Sequence, residues 1–167
     1  GDLAGLGGLV MPGGESTTIG KLLSWYGLGE AIVDSVDAGM ALWGTCAGAI
    51  LMAKEVRGGE VEGLGLMDIV VERNAYGRQL DSFETELGFG EVVKGGLDVQ
   101  SNPYGMLAVP AVFIRAPKIV SVGEGVEVLA EYEGEIVAAR EGKMLVTTFH
   151  PEMTDSLAVQ EYFLGMV

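Results

Sequence analysis

A chain of 167 residues fits one domain, since a single core typically serves about 100 to 200 residues. Apolar residues make up 49% and charged residues 20%, which excludes wholesale disorder. Ten Lys and Arg against 24 Asp and Glu give a formal net charge of −14, a poor surface for phosphate, so neither nucleic acid nor an anionic membrane is an expected partner. The only cysteine, Cys46, precludes an intrachain disulfide, and with the only histidine, His150, it cannot complete a His/Cys zinc cage. No run approaches 18 apolar residues, so no transmembrane helix is expected and a reduced, cytoplasmic setting is the default.

In chain order, Gly8-Leu9-Val10-Met11 is an apolar run stopped by Pro12-Gly13-Gly14, which predicts a buried strand entering a tight loop. Ser16 or Thr17 is the expected cap of a helix through about Tyr26, and a second helix is expected from Gly29 to Ala38. Met40 to Trp43 reads as another strand, and Ala47 to Val56 as a helix directly after it. Strand-like segments follow at Met67–Val71, Phe83–Leu87, Val112–Ile114, Val126–Tyr132, Ile136–Ala139 and Met144–Phe149. Glu131 to Glu135 has hairpin-turn composition, and Asp155 to Met166 reads as a closing helix capped by Thr154 or Asp155. Alternating strands and helices predict an α/β fold on a mostly parallel central sheet flanked by helices. Ligands of such sheets sit at the carboxyl ends of the strands, where the loops after Met11, Trp43 and Phe149 emerge.

Three segments carry chemistry. Gly44-Thr45-Cys46-Ala47-Gly48, between a strand and a helix, is the cysteine form of a nucleophile elbow. The elbow lifts Cys46 above the sheet toward a helix N-terminus, whose dipole favours thiolate; the bland alternative is a buried structural cysteine. Phe149-His150-Pro151-Glu152 ends an apolar strand, and Glu152 is near enough in sequence to accept a hydrogen bond from the imidazole. Read alone, it could equally be a satisfied strand-end histidine; with the elbow, Cys46 and His150 take complementary roles. Pro12-Gly13-Gly14-Glu15-Ser16-Thr17-Thr18 lacks the lysine of a phosphate-binding loop, but its N–H groups suit an oxyanion or a carboxylate, if it is not an ordinary turn and cap.

Together these segments resemble the class I, triad-type glutamine amidotransferases, and within them the PdxT-type glutaminase subunits of the two-component pyridoxal 5′-phosphate synthase. Two further stretches carry the resemblance: Val70-Val71-Glu72-Arg73-Asn74-Ala75-Tyr76-Gly77-Arg78-Gln79, and Phe113-Ile114-Arg115-Ala116-Pro117. The match runs from about Leu9 to the end of the chain and implies a flavodoxin-like fold in one domain over residues 1–167.

The resemblance implies Cys46 as nucleophile, with His150 and Glu152 as base and orienter. It implies glutamine contacts from Gly14, Glu15, Ser16, Arg73, Ile114 and Arg115, and an oxyanion held by backbone N–H groups at Gly14 and Ala47. The residue types agree, since free glutamine presents a carboxylate and an ammonium to be matched by donors and an acceptor. The implied activity is hydrolysis of L-glutamine to L-glutamate and ammonia, with no metal or cofactor. The implied partner is a PdxS-type TIM-barrel synthase subunit in a large hetero-oligomer, which receives the ammonia. The family's opening strand-helix-strand has no counterpart in the sequence, so the domain is expected to be amino-terminally incomplete. Lys94 to Pro110 reads as a loop insertion. Two rival functions stay open: an amidotransferase serving another ammonia acceptor, and a non-catalytic redox-sensing or structural subunit of the same fold.

Overall fold

A computed structural model describes residues 3–73, 82–91 and 106–167. Its principal sheet contains eight strands, in order β1 (Gly8–Met11), β2 (Ala41–Thr45), β10 (Met144–Thr147), β9 (Glu135–Glu141), β7 (Lys118–Val122), β4 (Met67–Glu72) and β3 (Ala53–Arg57), with β8 (Glu127–Tyr132) paired to β9. β1, β2 and β10 are mutually parallel, as are β3 and β4; the pairs linking them through β9 and β7 are antiparallel. The α/β class holds, but in place of the expected mostly parallel sheet the described pairings are mixed, three parallel and four antiparallel, with the parallel ones concentrated where the elbow strand lies. β5 (Ser82–Glu91) and β6 (Met106–Ile114) form a separate antiparallel ribbon.

β2 is buried along its whole length and β10 along all but its first residue, as expected of parallel strands covered on both faces. Side chains alternate between two cores. Leu42 and Val146 face a cluster with Leu23, Ile32 and Leu51, contributed by α1 (Ser16–Trp25), α2 (Leu28–Asp37) and α3 (Ala47–Met52). Trp43 and Leu145 face the other cluster, closed by Phe89 and Phe113 of the ribbon and by Phe163 of α4 (Ala158–Leu164).

Several boundaries differ from the sequence expectations. α3 stops at Met52, because Ala53 turns extended (φ −64, ψ 141) and Ala53–Arg57 form the strand that pairs with β4. Ala, Lys and Glu favour helix, but that propensity is weak against pairing at a sheet edge. Glu15, rather than Ser16 or Thr17, caps α1. α4 starts at Ala158, and neither Thr154 nor Asp155 caps it: the Thr154 hydroxyl instead bonds Pro151 O at 3.0 Å. β7 was not anticipated, and β10 ends at Thr147. Met106–Pro110, expected as loop, are strand paired with β5, while positions 94–105 and the Asn74–Gln79 part of the family motif lie outside the described residues. The expected hairpin is present as the two-residue turn Glu133-Gly134, with φ of 51 and 80, joining β8 to β9.

Candidate active site

The parallel strands β1, β2 and β10 deliver three loops to one end of the sheet, and the elbow is the central one. Cys46 sits between β2 and α3 at φ 49, ψ −103, a backbone conformation a side-chain-bearing residue rarely adopts. Its N–H donates to Thr147 O at 2.8 Å and its carbonyl accepts from Ala49 N–H at 3.1 Å, so the surroundings hold it there. The flanking glycines are steric requirements. A methyl group on Gly44 would lie 2.5 Å from the Gly48 carbonyl carbon and 2.7 Å from Met52 Sδ, and one on Gly48 would overlap Met11 O.

The thiol differs from the sequence expectation. Cys46 is 8% exposed, and burial pushes its pKa up to about 11. The Ala47 N–H at the start of α3 and the Arg115 charge pull the other way, and Glu152 adds to the rise. The helix terminus does favour thiolate, but one short helix does not offset desolvation. The free site holds a neutral thiol whose proton must be removed.

His150 follows β10 at the strand end, with its N–H donating to Val112 O at 2.8 Å. Its Nδ1 is 2.8 Å from Glu152 Oε1, which the 3-10 turn Pro151–Met153 carries back beneath the ring. The hydrogen bond leaves Nε2 as the nitrogen available for chemistry. The loop after β1 packs against both partners: a methyl on Gly13 would lie 2.5 Å from His150 Cε1 and 3.4 Å from Cys46 Cβ. Gly13 thus belongs to the site beside Gly14, and the double glycine is the feature of the sequence that points to it.

Gly14 adopts φ 147, which favours glycine, and the chain then enters α1. Glu15 caps that helix, its carboxylate accepting from Thr17 N–H at 3.1 Å, Thr18 N–H at 2.7 Å and Thr18 Oγ1 at 2.7 Å. These bonds lower its pKa to about 2, the Thr18 hydroxyl contributing most. Arg73, just beyond β4, reaches over with Nη2 3.5 Å from Glu15 Oε1. Arg115 stands at φ 42 after β6, a second strained residue at the same rim.

A cavity of about 340 Å³ brings these groups together. It is lined by Gly14, Glu15, Ser16, Arg73, Ile114 and Arg115 on one side and by Cys46, Ala47 and His150 on the other. Glu152 is the one proposed site residue outside the lining, reaching it through His150. Ile50 and Pro117 also line it and were not singled out; Ile50 read as ordinary helix core. Among the described residues no group of three or more His, Cys, Asp or Glu is placed to hold a metal ion.

Known proteins resemble this chain over nearly its whole length. A model of the SNO glutamine amidotransferase family matches residues 1–167. A pyridoxal 5′-phosphate synthase subunit PdxT of Niallia circulans is 54% identical over 165 residues, covering 99% of this chain and 80% of that protein. The protein of the same name from Herpetosiphon aurantiacus is 54% identical over 162 residues, covering 95% of this chain and 79% of its own. A solved structure of a glutamine amidotransferase aligns with a TM-score of 0.86 at 45% identity, covering 98% of this chain and 80% of that one. This chain belongs to the SNO glutamine amidotransferase family.

Proposed function

We propose that this chain is a glutaminase, hydrolysing L-glutamine to L-glutamate and ammonia as a subunit of a pyridoxal 5′-phosphate synthase. One observation carries the reading: a strained elbow cysteine and a carboxylate-bonded histidine open onto the same cavity as two arginines. The names of relatives at about half identity support the synthase assignment.

His150 takes the Cys46 proton as sulfur attacks the amide carbon, since the thiol is neutral in the free site. The tetrahedral oxyanion is met by the Ala47 N–H, with Gly14 N–H as the second donor. The C–N bond breaks as His150 returns its proton to nitrogen, releasing ammonia and leaving a γ-glutamyl thioester. His150 then removes a proton from water, which attacks the thioester; the C–S bond breaks and sulfur is reprotonated. Glu152 holds the ring orientation and stabilises the imidazolium. Arg73 and Arg115 face the α-carboxylate, and Glu15 and Ser16 offer acceptors to the α-ammonium. The partner is a synthase subunit that consumes ammonia, in a hetero-oligomer, in the cytoplasm.

The test is glutamate release by the chain mixed with the synthase subunit. Cys46→Ala should abolish it, and Glu152→Gln should lower kcat by up to about 10⁴-fold at little cost in KM. Full activity in Cys46→Ala would overturn the reading.

A further inference from the structure

The cavity needs a guanidinium held in place, yet arginine is a long side chain with many rotamers. Arg73 is held from behind. Its Nη2 donates to Thr17 Oγ1 at 3.3 Å, and the Thr17 backbone N–H donates to Glu15 Oε1 at 3.1 Å. Thr17 therefore holds the guanidinium through its hydroxyl and, through its N–H, the carboxylate that lies 3.5 Å from the same Nη2. On the other side, Nη1 lies over Gly59, where a methyl group would stand 3.1 Å away. The main chain is fixed as well: Arg73 N–H donates to Arg57 O at 3.0 Å, and a methyl on Gly58 would come within 3.0 Å of Arg73 O. The Arg73 side chain is 17% exposed.

Thr17 and Gly59 line a different cleft, of about 710 Å³, shared with Lys21, Lys54 and Glu60. Neither lines the Cys46 cavity. Both meet the Arg73 guanidinium from outside that cavity.

We infer that Thr17 and Gly59 are positioning residues that preset the Arg73 guanidinium for the α-carboxylate of glutamine. The inference rests on the glutaminase reading above. Presetting removes the cost of ordering the side chain when substrate arrives, so it acts on substrate binding and not on the chemistry at Cys46.

The experiment measures kcat and KM for glutamine in the complex with the synthase subunit, for Thr17→Val, Thr17→Ser, Gly59→Ala, Arg73→Ala and the double variant Thr17→Val/Arg73→Ala. Thr17→Val and Gly59→Ala should raise KM about three- to tenfold, the scale of one partly exposed hydrogen bond to a charged group, with kcat within about twofold. Thr17→Ser keeps the hydroxyl and should keep KM. Arg73→Ala should raise KM further, and adding Thr17→Val to it should change nothing more. Gly59 has φ 139, so alanine there strains the loop; if that variant misfolds, the Thr17 pair decides. A KM raised by Arg73→Ala but unmoved by Thr17→Val overturns the positioning role and leaves the glutaminase reading intact. A KM unmoved by Arg73→Ala removes Arg73 from the substrate site and the inference with it. Loss of activity in Cys46→Ala, measured alongside, tests the glutaminase reading separately.

Discussion

Cys46 shows how one residue sets two pH dependences. Burial raises its pKa from 9.0 to about 11, so the folded state holds the proton more tightly than the unfolded chain. Its contribution to stability is fully present below about pH 9 and is lost as pH rises through 11. The shift corresponds to an upper bound on the order of 2 to 3 kcal/mol. Thermal melts from pH 8 to 11 should therefore show a steeper loss for the parent than for Cys46→Ser. Alkylation of the ligand-free chain by iodoacetamide should keep accelerating toward pH 11. A plateau near pH 9, or parallel melting curves, would contradict a desolvated thiol. This is the proton that His150 removes in the proposed mechanism.

At the scale of the element, α1 depends on Glu15. An exposed carboxylate caps the helix through two backbone N–H groups and a hydroxyl, and it stays ionised down to about pH 2. The folded pKa lies below the unfolded value of 4.5, so the cap contributes stability above that pH and loses it as pH falls toward 2. Glu15→Ala should melt at a lower temperature than the parent at pH 7, with the gap closing between pH 4.5 and 2. A gap that persists unchanged at pH 2 would mean that the charge is not what the cap uses. The cap also explains a sequence miss. Ser16 and Thr17 are the residue types that usually cap, yet the longer Glu15 side chain reaches the same donors from one position earlier. α3 carries the opposite lesson: Ala53 to Arg57 has helical composition, and only pairing with β4, distant along the chain, makes it a strand.

Over the whole molecule, the two cores share one sheet. Trp43 and Leu42 are neighbours on β2 but belong to different clusters, so neither side can open without exposing the other face of the same strand. Leu145→Ala in one core and Leu51→Ala in the other should each cost about 2 to 5 kcal/mol, since both side chains are fully buried. Urea unfolding should remain a single transition in both variants, with tryptophan fluorescence and far-ultraviolet circular dichroism coincident. Separate midpoints would show that the cores unfold independently.

Local chemistry was legible in the sequence because tight geometry demands particular residues. Gly44 and Gly48 are glycines since a methyl at either meets backbone, and Glu152 is spaced to return to His150. The turn within Glu131 to Glu135 was readable from its composition, and Gly134 at φ 80 is where that composition matters. The strand order was not, because β2 beside β10 joins residues about a hundred positions apart and no local pattern encodes the partner. Nor was the thiol's high pKa, which measures how much water the folded chain removes from Cys46. Residue types and spacings were enough to nominate candidate side chains; the state in which they wait depends on burial and on pairing between distant strands, which exist only once the chain has closed around them.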